Sequence, residues 1–132
     1  MLPDWPAGTV AFLATAGDDG PHAIPVSTAR RTGPRTVVFA LSPARGSLAR
    51  LRADPRCALC VVAADAAMTL RGRAREVGDA AGVVAIELEV EAVDDHRTPA
   101  FAIEAGVRWR WVDEEAERRD AQVRAALGEL SG

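Results

Sequence analysis

The 132-residue chain contains no lysine, no tyrosine and no asparagine, and all sixteen of its basic residues are arginine. Without a lysine amine, a Schiff-base enzyme and a lysine-held pyridoxal cofactor are excluded, as is the lysine of a nucleotide-binding P-loop. The glycines Gly8, Gly17, Gly20, Gly33 and Gly46 never spell the GxGxxG of a dinucleotide loop. Cys57 and Cys60 are the only cysteines, too few for a disulfide framework. No apolar run reaches the roughly 18 residues of a membrane span. The opening Met1-Leu2-Pro3-Asp4-Trp5-Pro6 has neither the basic start nor the apolar core of a signal peptide. A cytoplasmic protein without membrane partners is expected.

Apolar residues make up 48% of the chain, enough for one modest core and too little for two ordinary domains. A single domain over 1–132 is expected, with a helical tail from about residue 112. The net charge of −3 is unevenly distributed. Residues 1–75 hold ten arginines against five acids, and residues 76–132 hold six against fourteen. This asymmetry allows a basic anion site in the first half. The arginines are scattered and the overall sign is negative, which argues against a nucleic-acid partner.

Residues 9–15 form a short apolar run that ends at the turn signal Asp18-Asp19-Gly20-Pro21, and 22–29 reads as the returning strand of a hairpin. Pro25 inside it removes a backbone donor and suggests an edge. A third strand follows at 36–41. Ser42-Pro43 then offers an N-cap with proline at the first helical position, predicting a helix over 43–53. Strands resume at 56–63 and 66–77. Ile86, Leu88, Val90 and Ala92 alternate with Glu87, Glu89 and Glu91, the clearest period of two in the chain. Asp113 is placed to cap a terminal helix carrying Ala116, Val123, Leu127 and Leu130 on one stripe. These elements predict a mainly β fold with helices, a six-stranded antiparallel barrel with one helix between strands 3 and 4 and a C-terminal helix.

Few residues carry chemistry. Cys57 and Cys60 have metal-pair spacing, but residues three apart on a strand face opposite sides, so both read as structural thiols and no metal is expected. His22 either approaches a ligand bound against the second strand or sits at the surface, and His96 lies in an acidic loop. No serine, histidine and acid are arranged as a hydrolytic triad. Ser42, Arg45 and Ser47 cluster near a helix start, where free backbone donors suit a phosphate or another compact anion. Trp109 and Trp111 alternate with Arg108 and Arg110. If extended, the indoles share one face, where they stack on an aromatic ligand, cover the barrel or fill a subunit contact.

The order of five segments resembles the pyridoxamine 5'-phosphate oxidase-like family, the FMN-binding split barrels. They are Val10-Ala11-Phe12-Leu13-Ala14-Thr15; Asp19-Gly20-Pro21-His22-Ala23-Ile24-Pro25-Val26; Val38-Phe39-Ala40-Leu41-Ser42; Arg45 through Pro55; and Leu70-Arg71-Gly72-Arg73-Ala74. The resemblance covers about residues 8–77. It implies a split β-barrel homodimer with two flavin sites at the subunit boundary and a small-molecule substrate. The flavin ring would lie against the backbone of Val26, Ser27 and Thr28, and its phosphate would approach Ser42, Arg45 and Ser47. The family often carries a basic residue at the position of Ser47, and here Arg45 or Arg50 would supply that charge. His22, Trp109 and Trp111 are further pocket members, and no catalytic side chain is assigned. The resemblance implies an FMN-dependent oxidoreductase. A deazaflavin (F420)-dependent reductase, a haem protein and a noncatalytic barrel without cofactor are the alternatives.

Overall fold

A computed structural model describes residues 2–131. β1 (Ala11–Thr15) and β2 (His22–Val26) form the expected hairpin, turned by Gly20 at φ 103°. β3 (Arg30–Arg31) and β4 (Thr36–Leu41) follow, then α1 (Gly46–Ala53), β5 (Arg56–Ala63), β6 (Ala66–Ala80), β7 (Val83–Asp95) and α2 (Glu114–Ser131). The strands form one antiparallel sheet in the order β2-β1-β5-β6-β7-β4-β3.

Two features correct the expected fold. The sheet has seven strands rather than six, and the first helix lies between strands 4 and 5. The added strand is β3, whose two residues pair with Val38 and Val37. Two residues are too short to show a period in sequence. The sheet also stays open, a curled half-barrel with β2 and β3 as its edges.

The start of α1 differs as well. Ser42 does not cap it. Its carbonyl accepts from Arg45 N at 3.0 Å and its hydroxyl from Ala44 N at 3.3 Å, a local turn that delays the helix to Gly46. At α2, by contrast, Asp113 Oδ1 accepts from the backbone N–H groups of Glu115 (2.9 Å) and Ala116 (3.3 Å), the N-cap its position predicts.

β6 and β7 run longer than their sequence periods, joined by Ala81-Gly82 with φ of 53° and 91°, the doubly positive geometry that matches the twist of a hairpin. β4 is buried on both faces. Val37, Phe39 and Leu41 join Leu13, Leu59, Leu70, Ile86 and Leu88 in the main core, while Val38 packs with Ala80, Ala85 and Leu127 beneath α2.

The outward face of β6 and β7 accounts for much of the charge asymmetry. Arg71 pairs with Asp94 (2.8 Å), Arg73 with Glu91 (3.8 Å) and Arg75 with Glu87 (2.9 Å), while Arg52 of α1 grips Glu76 with two bonds. The surplus arginines of the first half thus meet the surplus acids of the second across one ladder. Exposed to water and screened by salt, each such pair adds little to stability.

Cys57 and Cys60 face opposite sides, as the strand spacing requires. Cys57 is buried and Cys60 is half-buried. Burial pushes the Cys57 thiol from its ordinary 9.0 up to about 12. The unfolded chain therefore loses this proton first. The stability linked to Cys57 is complete below pH 9 and is lost as pH rises through 12. Denaturant midpoints measured from pH 8 to 11 are expected to fall with pH, and Cys57→Ala to flatten that slope.

Gly72 of β6 lies opposite a β-bulge at Glu91 of β7, and an added Cβ on it would overlap the Glu89 carbonyl oxygen. The obstacle is backbone and cannot rotate away. Gly72→Ala is expected to destabilise the fold by about 3 kcal/mol, the upper range for overpacking, read from urea unfolding.

Candidate functional site

The predicted site residues fall into three places. Val26 and Ser27, at the end of β2, line a pocket of about 480 Å³ together with Val10 and Pro25. The opposite wall is Trp109, Arg110, Trp111 and Val112, closed by Asp113 and Ala116 at the start of α2. This second wall belongs to an irregular strap over residues 96–113. Several contacts tie the strap down, three of them between residues 103 and 109. Asp65 N donates to Ile103 O (3.1 Å), Gly106 packs so closely on the Val62 carbonyl that no side chain fits, and Trp109 Nε1 donates to Gly8 O (2.8 Å).

Residues 108–111 lie outside any strand. Trp109 and Trp111 meet edge to face, with ring centroids 5.2 Å apart and planes at 82°. Arg110 also borders this pocket. Beside it, Thr28 Oγ1 accepts from Ala40 N at 3.0 Å and ties the chain beyond β2 to β4. The Ser27 carbonyl accepts from Arg124 Nη2 of α2 at 2.8 Å, and Arg124 is itself held by Asp120 at 2.6 Å.

The second group gathers at the start of α1. Arg45 is the N-cap residue, exposed, with no side-chain capping bond at this helix end. No ion-pair partner of Arg45 occurs among the described residues. Ser47 is buried, Ser42 half-buried, and the space beside Gly46 is open. An uncapped helix start with a cation beside it is the donor chemistry that fits a phosphate. The flat apolar walls of the tryptophan pocket fit a planar ring.

Two residues stand apart from both groups. Arg50 clamps the β1–β2 turn, donating to Gly20 O at 3.2 Å and pairing with Asp19, whose carboxyl it holds below the ordinary carboxylate value. Its side chain is only 14% exposed, so its charge already has a partner. His22 is exposed on edge strand β2, paired in register with Thr15. The other histidine, His96, lies 2.8 Å from the Thr69 hydroxyl through Nε2.

Arg110, Arg124 and Asp120 were not legible as site residues. An i,i+4 acid–arginine pair reads as ordinary helix surface, and alternation in an extended segment sets Arg110 apart from the indoles. Among the described residues, no group of three or more His, Cys, Asp or Glu can hold a metal ion. No helix among the described residues is long and apolar enough to cross a membrane.

Comparison with known proteins bears on this geometry. The model of the family described as pyridoxamine 5'-phosphate oxidase matches residues 5–106. Among solved structures, HupZ of Group A Streptococcus superposes with a TM-score of 0.60 at 16% identity, covering 74% of this chain and 90% of that one. An FAD-binding protein of Mesorhizobium loti gives a TM-score of 0.58 at 18% identity over 66% of this chain and 84% of the other. An F420 reductase gives 0.58 at 17% identity over 66% and 90%. Identities this low establish a shared fold only. No curated protein matches the sequence. The family match spans most of the chain and includes every strand, and on that ground the protein belongs to the pyridoxamine 5'-phosphate oxidase-like family of split-barrel proteins.

Proposed function

We propose that the protein is a small cytoplasmic FMN-dependent oxidoreductase acting as a homodimer on a small molecule. The observation that carries this reading is the meeting of Val26 and Ser27 with Trp109 and Trp111 around one apolar pocket. When bound, FMN supplies hydride or single-electron transfer. Arg45 and the free N–H groups at the start of α1 hold the phosphate. The Val26–Thr28 backbone, fixed by Arg124 and by the Thr28–Ala40 bond, gives the ring a rigid edge. Trp109 and Trp111 keep water from it. No side chain is assigned as an acid or base.

The likeness to an F420 reductase supports the deazaflavin as the second cofactor to test. A noncatalytic barrel is favoured by one specific observation: Arg50, the spare charge beside Ser47, is already engaged by Asp19.

The homodimer reading rests on the outward face of β1, β2 and β5. Phe12, Ala14, Ala23, Pro25, Ala58 and Cys60 share that face by strand register and carry no charge, and Phe12 is 43% exposed. Apolar faces of this kind are covered in assemblies.

Protein purified natively is expected to show a flavin absorption spectrum, or to take up added FMN in preference to F420 and haem. No binding of any of the three to folded protein would defeat the reading in favour of the noncatalytic barrel. Arg45→Ala is expected to weaken FMN about tenfold, the value of one charge-assisted contact. Riboflavin, which lacks the phosphate, should be unaffected. Phe12→Glu should convert a dimer to a monomer in light scattering coupled to size-exclusion chromatography.

A further inference from the structure

The tryptophan pocket has more character than a slot for one ring. Its two indoles stand almost perpendicular, so they form a corner with one ring presenting a face and the other an edge. The bond from Trp109 Nε1 to Gly8 O fixes that indole before any ligand arrives. A flat aromatic molecule set in this corner stacks on the face of one ring and turns its own edge to the face of the other, both favourable arrangements for a π-system. The remaining lining from Val10, Pro25, Val26 and Ala116 is aliphatic. A volume of about 480 Å³ lies within the range of pockets for small ligands.

The charges on the rim are unequal in availability. Asp113 is occupied as the N-cap of α2, where its carboxylate answers the backbone donors of the first turn. The Ser27 carbonyl already accepts from Arg124. Arg110 alone lines the pocket as a cation with no ion-pair partner among the described residues. Its planar fork suits a carboxylate.

We propose that the tryptophan corner and Arg110 form the substrate's half of the site and select a planar aromatic carboxylate. The inference builds on the cofactor reading, since it places this molecule between the tryptophans and a ring lying on the Val26–Ser27 wall. It assigns Arg110 the choice of charge and the indoles the choice of shape.

The test is calorimetric titration of 2-naphthoate and of uncharged 2-naphthol into protein held in excess FMN, with FMN occupancy read separately from visible absorbance. The expected result is naphthoate binding about tenfold tighter than naphthol. Arg110→Gln should abolish that preference and leave naphthol unchanged, which separates loss of charge recognition from misfolding. Trp111→Phe should weaken both probes alike. Equal affinity for the two probes, a preference that survives Arg110→Gln, or expulsion of naphthoate by FMN would overturn the proposal. Protein that stays colourless with FMN yet keeps the Arg110-dependent preference would refute the cofactor reading and sustain this one.

Discussion

The β6–β7 ladder is the interaction on which the sheet depends. β5 pairs on one side of it and β4 on the other, and β1, β2 and β3 attach only through those two strands. The ladder is continuous over twelve residue pairs, broken by irregularities at Arg71/Gly72 and Glu76/Gly78. Bulges bend and twist a strand, and here they accompany the curl that lets the main core sit inside an open sheet. Gly72 permits the first bend because its missing side chain leaves room for the Glu89 carbonyl. The outer helix depends on the same hairpin, since Leu127 rests on Ala80 and Ala85.

What could be read in advance followed from how far a residue's partners lie along the chain. The alternation from Ile86 to Val90, the turn at Asp19-Gly20 and the Asp113 cap are each decided within a few residues, and each took the form its local chemistry indicates. Ala92, by contrast, lies beyond the break in register at Glu91 and leaves the period. β3 escaped because it exists only through its bonds to Val37 and Val38. The start of α1 was misplaced because serine followed by proline suits both an N-cap and a turn, and backbone bonding from Arg45 selected the turn. Strand order and the openness of the sheet have no local signature at all.

The site obeys the same rule more severely. Arg50 looked free for a phosphate because its partner, Asp19, lies 31 residues away in sequence. Arg124 reaches Ser27 across 97 residues. Trp109 and Trp111 were recognisable as candidates, yet the corner they make requires the Gly8 carbonyl 101 residues upstream. The family resemblance singled out Val26 and Ser27, which border the pocket. It carried no information about which arginines folding would leave unpaired, and that distinction separates Arg45 and Arg110 from Arg50.

The paired charges on the outer hairpin have a consequence for how the molecule responds to its surroundings. Guanidinium groups hold their protons far into alkali, and contact with arginine lowers the carboxyls of Asp94 and Glu76 below their ordinary values. With no lysine or tyrosine and only two histidines, few side chains can change charge near neutrality. The Arg71–Asp94 and Arg52–Glu76 pairs therefore hold their charges from mild acid into alkali. Dissolved ions still screen them, with a reach of about 8 Å at physiological strength. Ionic strength, far more than acidity, sets how strongly neighbouring molecules feel this side of the sheet.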